Sequence, residues 1–208
     1  MRTPGYWLVA ASSLLMVGYA LVAYLFMEPG TSVHPEMKLV YAAHPFVIRA
    51  HVVGAAVALL LGPLQFHEGL RQRRPRVHRG MGALYLLLGV GVGGVASVRL
   101  AALSYGGFVA HVGFMLHGVL WILTGALALR PILTRRVSSH RRWMLRNFAL
   151  AFGAVTLRLQ MGAFGAAGVP FDEYYPVVAW ASWIPNLLFV EWVLLRRPHL
   201  GAGEARTS

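Results

Sequence analysis

Six long apolar runs constrain this chain more than any other feature: Tyr6–Met27, Pro45–Phe66, Gly80–Leu103, Phe108–Leu129, Trp143–Gly168 and Tyr175–Leu195. A hydrocarbon core about 30 Å thick takes roughly 20 helical residues at about 1.5 Å each. In lipid every backbone N–H and C=O needs an internal partner, so runs of this length must be helices. The sequence therefore predicts an all-α integral membrane protein, a six-helix transmembrane bundle. At 57% hydrophobic and 12% charged, it leaves no room for a separate soluble domain. Residues 1–200 read as one transmembrane domain, and residues 201–208 as a disordered polar tail.

A net charge of +12 would suggest nucleic acid in a soluble protein. Its distribution argues for lipid instead. Arg71, Arg73, Arg74, Arg76 and Arg79 follow the second run, and Arg130, Arg135, Arg136, Arg141, Arg142 and Arg146 follow the fourth. Arg196, Arg197 and Arg206 follow the sixth. These places alternate on one side, which the positive-inside rule makes cytoplasmic, with both termini there. The opposite connections hold Glu28, Glu36, Asp172 and Glu173, with Lys38 as the single lysine of the chain. The expected partner is the lipid bilayer, not nucleic acid. The preference for arginine over lysine is a compositional association with GC-rich bacteria, so the expected location is a bacterial inner (cytoplasmic) membrane. The first run exceeds the roughly 7–15 residues of a cleavable signal, and only Arg2 precedes it, so it is expected to be retained. The absence of cysteine excludes disulfides, thiolate metal sites and catalytic thiols. The connection Glu28–His44, marked by a turn at Pro29-Gly30, is the longest outer one, whereas Ser104–Gly107 makes the third and fourth helices antiparallel neighbours.

Nine histidines in so apolar a chain need a reason. His51 lies six residues below the outer edge of its run and His117 nine below its own, so both sit roughly 10–13 Å deep in one leaflet. His78 and His140 precede the third and fifth runs on the arginine-rich side, and each is followed by arginine. That repetition suggests that helix pairs two/three and four/five are related units. Two facing imidazoles can supply both axial ligands of a haem iron. Small residues accompany the outer pair: Gly54, Ala55, Ala58 and Gly62 near His51, and Gly113, Thr124, Gly125 and Ala128 near His117. They either leave room for a flat macrocycle or let helices approach closely, as Gly89-x-x-x-Gly93 does. His44, His67 and His111 read as solvated edge residues, and His34 and His199 as carrying no site. Hydrolase motifs are missing. His67-Glu68 is followed by Arg71 where a zinc protease needs its second histidine, there is no G-x-S-x-G, and Gly91-x-Gly93-Gly94 lies inside a span.

Arg49, Arg99 and Arg158 also fall inside runs. The first two are close enough to an edge to snorkel. Arg158 is near the bilayer middle, where a lone arginine costs at least about 2.5–3.5 kcal/mol. It either pairs with Glu191, the one carboxylate inside a run, or faces an external anion such as a haem propionate, a quinone oxygen or a lipid phosphate.

The strings His51…Gly62-Pro63-Leu64-Gln65-Phe66, His78-Arg79-x-x-Gly82-x-x-Tyr85, His140-Arg141-Arg142-Trp143-Met144-x-Arg146, Thr156-Leu157-Arg158 and Trp183-x-x-Asn186…Glu191 carry a resemblance. Together they resemble the bacterial membrane-protein family called domain of unknown function 2306, over roughly His44 to Arg196. The resemblance implies a polytopic membrane protein and singles out His51, Gln65, His78, Arg79, His140, Trp143, Arg146 and Arg158. In plan the chain is also similar to the six-helix, two-haem transmembrane cytochromes b, where helix two pairs with four and three with five.

Two functional readings follow. In the leading one, a haem b protein, a membrane oxidoreductase in broad class, passes electrons across the membrane. Its outer haem iron is held by His51 and His117, with Arg49, Arg99 or Arg158 on the propionates. Its inner haem iron is held by His78 and His140, with Arg79, Arg142 or Arg146. A quinol or small reductant is the expected donor. The alternative is a non-redox transporter or assembly partner using Arg158/Glu191 and the His-Arg motifs for anions or lipid. Orientation is the first thing to test. With single cysteines at Gln72, Ser138 and Asp172, an impermeant thiol reagent on intact cells is expected to label only the last. Labelling at Gln72 or Ser138 would reverse the bundle.

Overall fold

The structure, a computed structural model, describes residues 4–28, 30–31 and 33–196. Arg2, Pro29 of the expected turn, Arg197, His199, Arg206 and the tail 201–208 lie outside the described residues. Six helices are long and apolar enough to cross a membrane: α1 (Pro4–Phe26), α3 (Pro45–Gln65), α5 (Pro75–Ala101), α6 (Gly107–Leu133), α7 (Val137–Ala166) and α8 (Phe171–Leu194). Two short ones, α2 (Pro35–Ala43) and α4 (Glu68–Arg73), join them. The chain is an all-α, multi-pass membrane protein.

Local chemistry sets the boundaries. Pro35, Pro45 and Pro75 open α2, α3 and α5, where the missing N–H is one that no helix would satisfy. Gly106, at φ +92°, turns the chain from α5 into α6, and Gly168, at φ +72°, closes α7 in the left-handed region that glycine enters freely. Three sequence expectations are corrected here. The connection Glu28–His44 contains helix α2. Helices α5 and α7 begin five and six residues earlier than the apolar runs, at Pro75 and Val137. Their first turns are polar because they stand at the arginine-rich interface, so hydropathy alone missed them. His78 and His140 therefore ride on helices, and the inner connection of α6 to α7 shrinks to residues 134–136.

Helix α3 packs extensively on α5, α6 on α7 and on α5, and α1 on α3. The α3–α5 contact explains the small residues. A Cβ on Gly54 would lie 2.5 Å from the Gly93 Cα, and one on Gly89 would lie 3.2 Å from the Ala58 Cβ. Gly62 seats the Phe148 ring and Gly113 the Trp180 indole. Of the two meanings these residues could carry, close helix approach is the one observed, and at these glycines no room remains for a macrocycle. A buried polar knot crosses the centre: Tyr85 Oη donates to Asn147 Oδ1 (2.8 Å), and Asn147 Nδ2 donates to the Trp121 carbonyl (2.7 Å) and to Thr124 Oγ1 (2.9 Å). Outward, Leu87, Phe108 and Leu159 are exposed, as a lipid-facing surface requires.

Four of the long helices are irregular, α1 through a π-helical last turn at Val22–Phe26. Residues Tyr85–Gly93 of α5 are wound as a π-helix, α7 is interrupted at Phe152, and α8 at Ser182–Trp183. Such defects free carbonyls that water would satisfy elsewhere and that protein must satisfy in lipid. Side chains do so. Asn186 Nδ2 donates to the carbonyls of Ser182 (3.1 Å) and Ala149 (3.3 Å), and Gln160 Nε2 to that of Ala181 (3.0 Å). The glycine seam gives a direct test: Gly54→Ala should cost about 1–3 kcal/mol by overpacking. Gly162→Ala, whose Cβ would meet nothing within 4 Å, should be neutral. Thermal unfolding in detergent reads both, and equal midpoints would refute the seam.

A candidate functional site in the outer half of the bundle

Opposite the arginine-rich end, the irregular helices leave a chamber of about 360 Å³. Its wall combines Met16, Val17 and Tyr24 of α1, Met37 and Tyr41 of α2, and His51 and Ala55 of α3. Ser97 and Leu100 of α5, Phe114, His117 and Trp121 of α6, Leu150 and Arg158 of α7, and Tyr175 and Ser182 of α8 add to it, and Glu36 of α2 lines it as well. An apolar cavity with a few converging polar groups is the ordinary form of a small-molecule site.

The imidazoles are held through the freed carbonyls. His51 Nδ1 lies 3.1 Å from the Gly93 carbonyl, where the π-helical stretch ends. His117 Nε2 lies 2.9 Å from the Leu150 carbonyl, just before the break in α7. A carbonyl only accepts, so in each case the contacting nitrogen carries the proton and the other keeps its lone pair. That leaves Nε2 of His51 and Nδ1 of His117. The His117 ring also lies parallel to Trp183, with centroids 5.8 Å apart and planes at 12°, and over Gly153, where a Cβ would come within 2.9 Å of it. The structure thus brings His51 and His117 to one chamber, within electrostatic reach of each other.

Arg158 is the chamber's cation. Its Nη2 donates to Tyr24 Oη, its Nη1 faces the Met161 sulfur at 3.6 Å, and the rings of Tyr19 and Tyr24 each lie 5.7 Å from its Cζ. Among the described residues it has no carboxylate partner. Glu191 is taken by Arg146, through Nε to Oε1 and through Nη2 to Oε2 at 3.0 Å, with the Trp143 ring 4.8 Å from the same guanidinium. The proposed Arg158–Glu191 pair is therefore overturned: a lower position on α8 puts Glu191 beside α7's first turns. Tyr41, on α2 outside the spans, has its phenol pushed up to about 12 because burial disfavours the phenolate, so it faces the chamber as a neutral hydroxyl. Ser182 Oγ is buried at the wall and has no partner among the described residues.

The other expected residues separate. Arg49 and Arg99 are exposed and outside the chamber, so of the three outer arginines only Arg158 reaches it. At the arginine-rich end His140 Nδ1 is 2.8 Å from the Ala128 carbonyl, which leaves its Nε2 lone pair, and His78 is within electrostatic reach of His140. His78 Nδ1 and Gln65 Nε2 are buried there without partners among the described residues. Arg79 and Arg142 are exposed, and Arg146 is committed to Glu191. Two of the edge histidines are engaged rather than merely solvated: His67 caps α4 by accepting from the Leu70 N–H, and His111 bonds the Ser104 carbonyl; His34, expected to carry no site, stacks on Phe171 with centroids 3.8 Å apart. Sequence reasoning missed Tyr24, Tyr41, Tyr175 and Ser182. Their only signal was a hydroxyl in or beside an apolar run.

Fold and site together define a polytopic helical membrane protein with an intramembrane chamber. A family model described as predicted membrane protein, domain of unknown function 2306, matches residues 48–194, and the chain belongs to that family. Neither the curated proteins nor the solved structures yielded a match. The match covers α5 to α8 and nearly all of α3, hence every histidine of the two pairs. The ion pair generates a prediction here: Arg146→Glu or Glu191→Arg alone should each cost about 1–3 kcal/mol, as lost charged hydrogen bonds do. The double swap should recover most of the thermal midpoint. Failure of the swap to recover anything would show that the pair is incidental.

Proposed function

We propose that the protein is a haem b membrane protein that passes electrons between the two membrane faces. One observation carries this reading: three separate helices deliver two histidines and an arginine with no ion pair among the described residues to a single, largely apolar chamber. Axial ligation needs the imidazoles, and a propionate needs a buried cation. His51 is prepared for iron, since its Nδ1–H on the Gly93 carbonyl fixes the ring and turns Nε2 free, the usual second-shell arrangement of a metal-bound histidine. His117 would be the second residue to hold the iron, and binding through Nε2 would require it to release the Leu150 carbonyl. Arg158 and the hydroxyls of Tyr24, Tyr41 and Ser182, which line the same chamber, would hold the propionates. At the other end, His140 shares the His51 arrangement, and His78 Nδ1 is buried without a partner, so this pair is assigned the second haem.

The haem iron supplies the one-electron chemistry. The protein's part is the axial nitrogens, the low dielectric that sets the potential, and the exclusion of water. A pyridine haemochrome spectrum of protein from haem-replete cells tests the reading. A b-type spectrum is expected, with haem content falling by about half in His51→Ala and in His140→Ala as each loses one site. Colourless protein that takes up no added haem would end the proposal.

A further inference from the structure

A second cavity, of about 620 Å³, lies between α1 and the outer halves of α7 and α8, behind the chamber wall. Ser12, Leu15, Met16 and Tyr19 form one side, and Leu159, Met161 and Gly162 the other. Leu15 and Leu159 are 76% and 68% exposed, so the crevice opens onto the hydrocarbon. Arg158 stands between the two cavities and lines both. We propose that this crevice binds a quinone-class molecule, a neutral ring with two carbonyl oxygens and an apolar tail, drawn laterally from the bilayer.

Chemistry and depth both select that class. The Nη2 edge of Arg158 is engaged by Tyr24, a chamber residue, whereas among the described residues the hydrogen-bond partner of its Nη1 edge is the Met161 thioether at 3.6 Å, a crevice residue. A thioether is a weak acceptor, so a ligand oxygen there would give a buried cationic N–H its first strong partner. At the crevice's outer end, the Nδ1 of His34 is buried without a partner among the described residues, its ring stacked on Phe171. The Ser12 hydroxyl is consumed by the carbonyls of Leu8 and Val9, so it adds no competing polarity. Arg158 lies eight residues before the end of α7, about 12 Å below it at 1.5 Å per residue. A phospholipid phosphate stays at the interface and does not reach that depth. A fatty acid whose carboxylate reached Arg158 would have its head in the hydrocarbon, where an uncharged dione is at home.

The site stands on its own geometry and is tested apart from haem. Full-length protein in nanodiscs, both wild type and the His51→Ala variant, is titrated with a decyl-substituted benzoquinone, and bound quinone is counted after rapid separation. Saturable binding is expected in both. Gly162→Phe should weaken it at least tenfold, because the position has open space for a side chain and lines only the crevice. Arg158→Gln should weaken it comparably. Gly5→Phe, also in open space but outside the crevice, should leave it unchanged. Two results would overturn the proposal: quinone binding insensitive to Gly162→Phe, or full displacement by equimolar oleate, which would assign the crevice to a carboxylate lipid. Haem content of Gly162→Phe equal to wild type confirms that the chamber is intact.

Discussion

Everything distinctive in this bundle follows from carbonyls that have no water to turn to. A regular transmembrane helix satisfies its own backbone, but α5, α7 and α8 are each irregular near the level of the chamber. Each defect exposes acceptors, and the chain answers with side-chain N–H groups from His51, His117, Asn186 and Gln160. The same bonds that repair the backbone fix the imidazole tautomers. Since a carbonyl can only accept, each repair decides which ring nitrogen keeps a lone pair for chemistry. At His51 structural satisfaction and the proposed site preparation are one interaction, whereas His117 would have to give up its carbonyl to bind iron through Nε2.

The charges divide along similar lines. Arg146 and Glu191 neutralise each other at the arginine-rich end, reinforced by the Trp143 ring. Arg158 is surrounded instead by phenols, which solvate a guanidinium without cancelling it. A buried cation held by a phenol oxygen, a thioether and ring faces, with no carboxylate partner among the described residues, is costly to keep, which is what the proposed electron-rich ligands would offset. Its position between two cavities puts one residue in both proposed sites, the haem chamber on one edge and the quinone crevice on the other.

The fold was legible because hydropathy over about 20 residues leaves little choice in a bilayer. The depth matching of His51 with His117 was legible too, since rise per residue is constant along a helix. The helix starts at Pro75 and Val137 were not, because their first turns are arginine-rich and resemble loop. Nor was the meaning of the glycines. Gly54 and Gly93 have the same composition whether they flank a cofactor or each other, and only a neighbouring backbone 2.5 Å from a would-be Cβ distinguishes the two. The Glu191 partner was misread for a related reason. Glu191 lies low on α8, beside the first turns of α7, and so meets Arg146 and not Arg158.

By itself, then, the amino-acid sequence determined the number of spans, the class of fold and the presence of intramembrane histidines and arginine, because these follow from transfer free energies residue by residue. Which nitrogen of each histidine is free, which arginine keeps its charge uncompensated, and that α2 and the outer connections fold over a chamber were decided only by tertiary structure. Those properties depend on where irregular helices place their unpaired carbonyls relative to one another, and no local propensity encodes that placement.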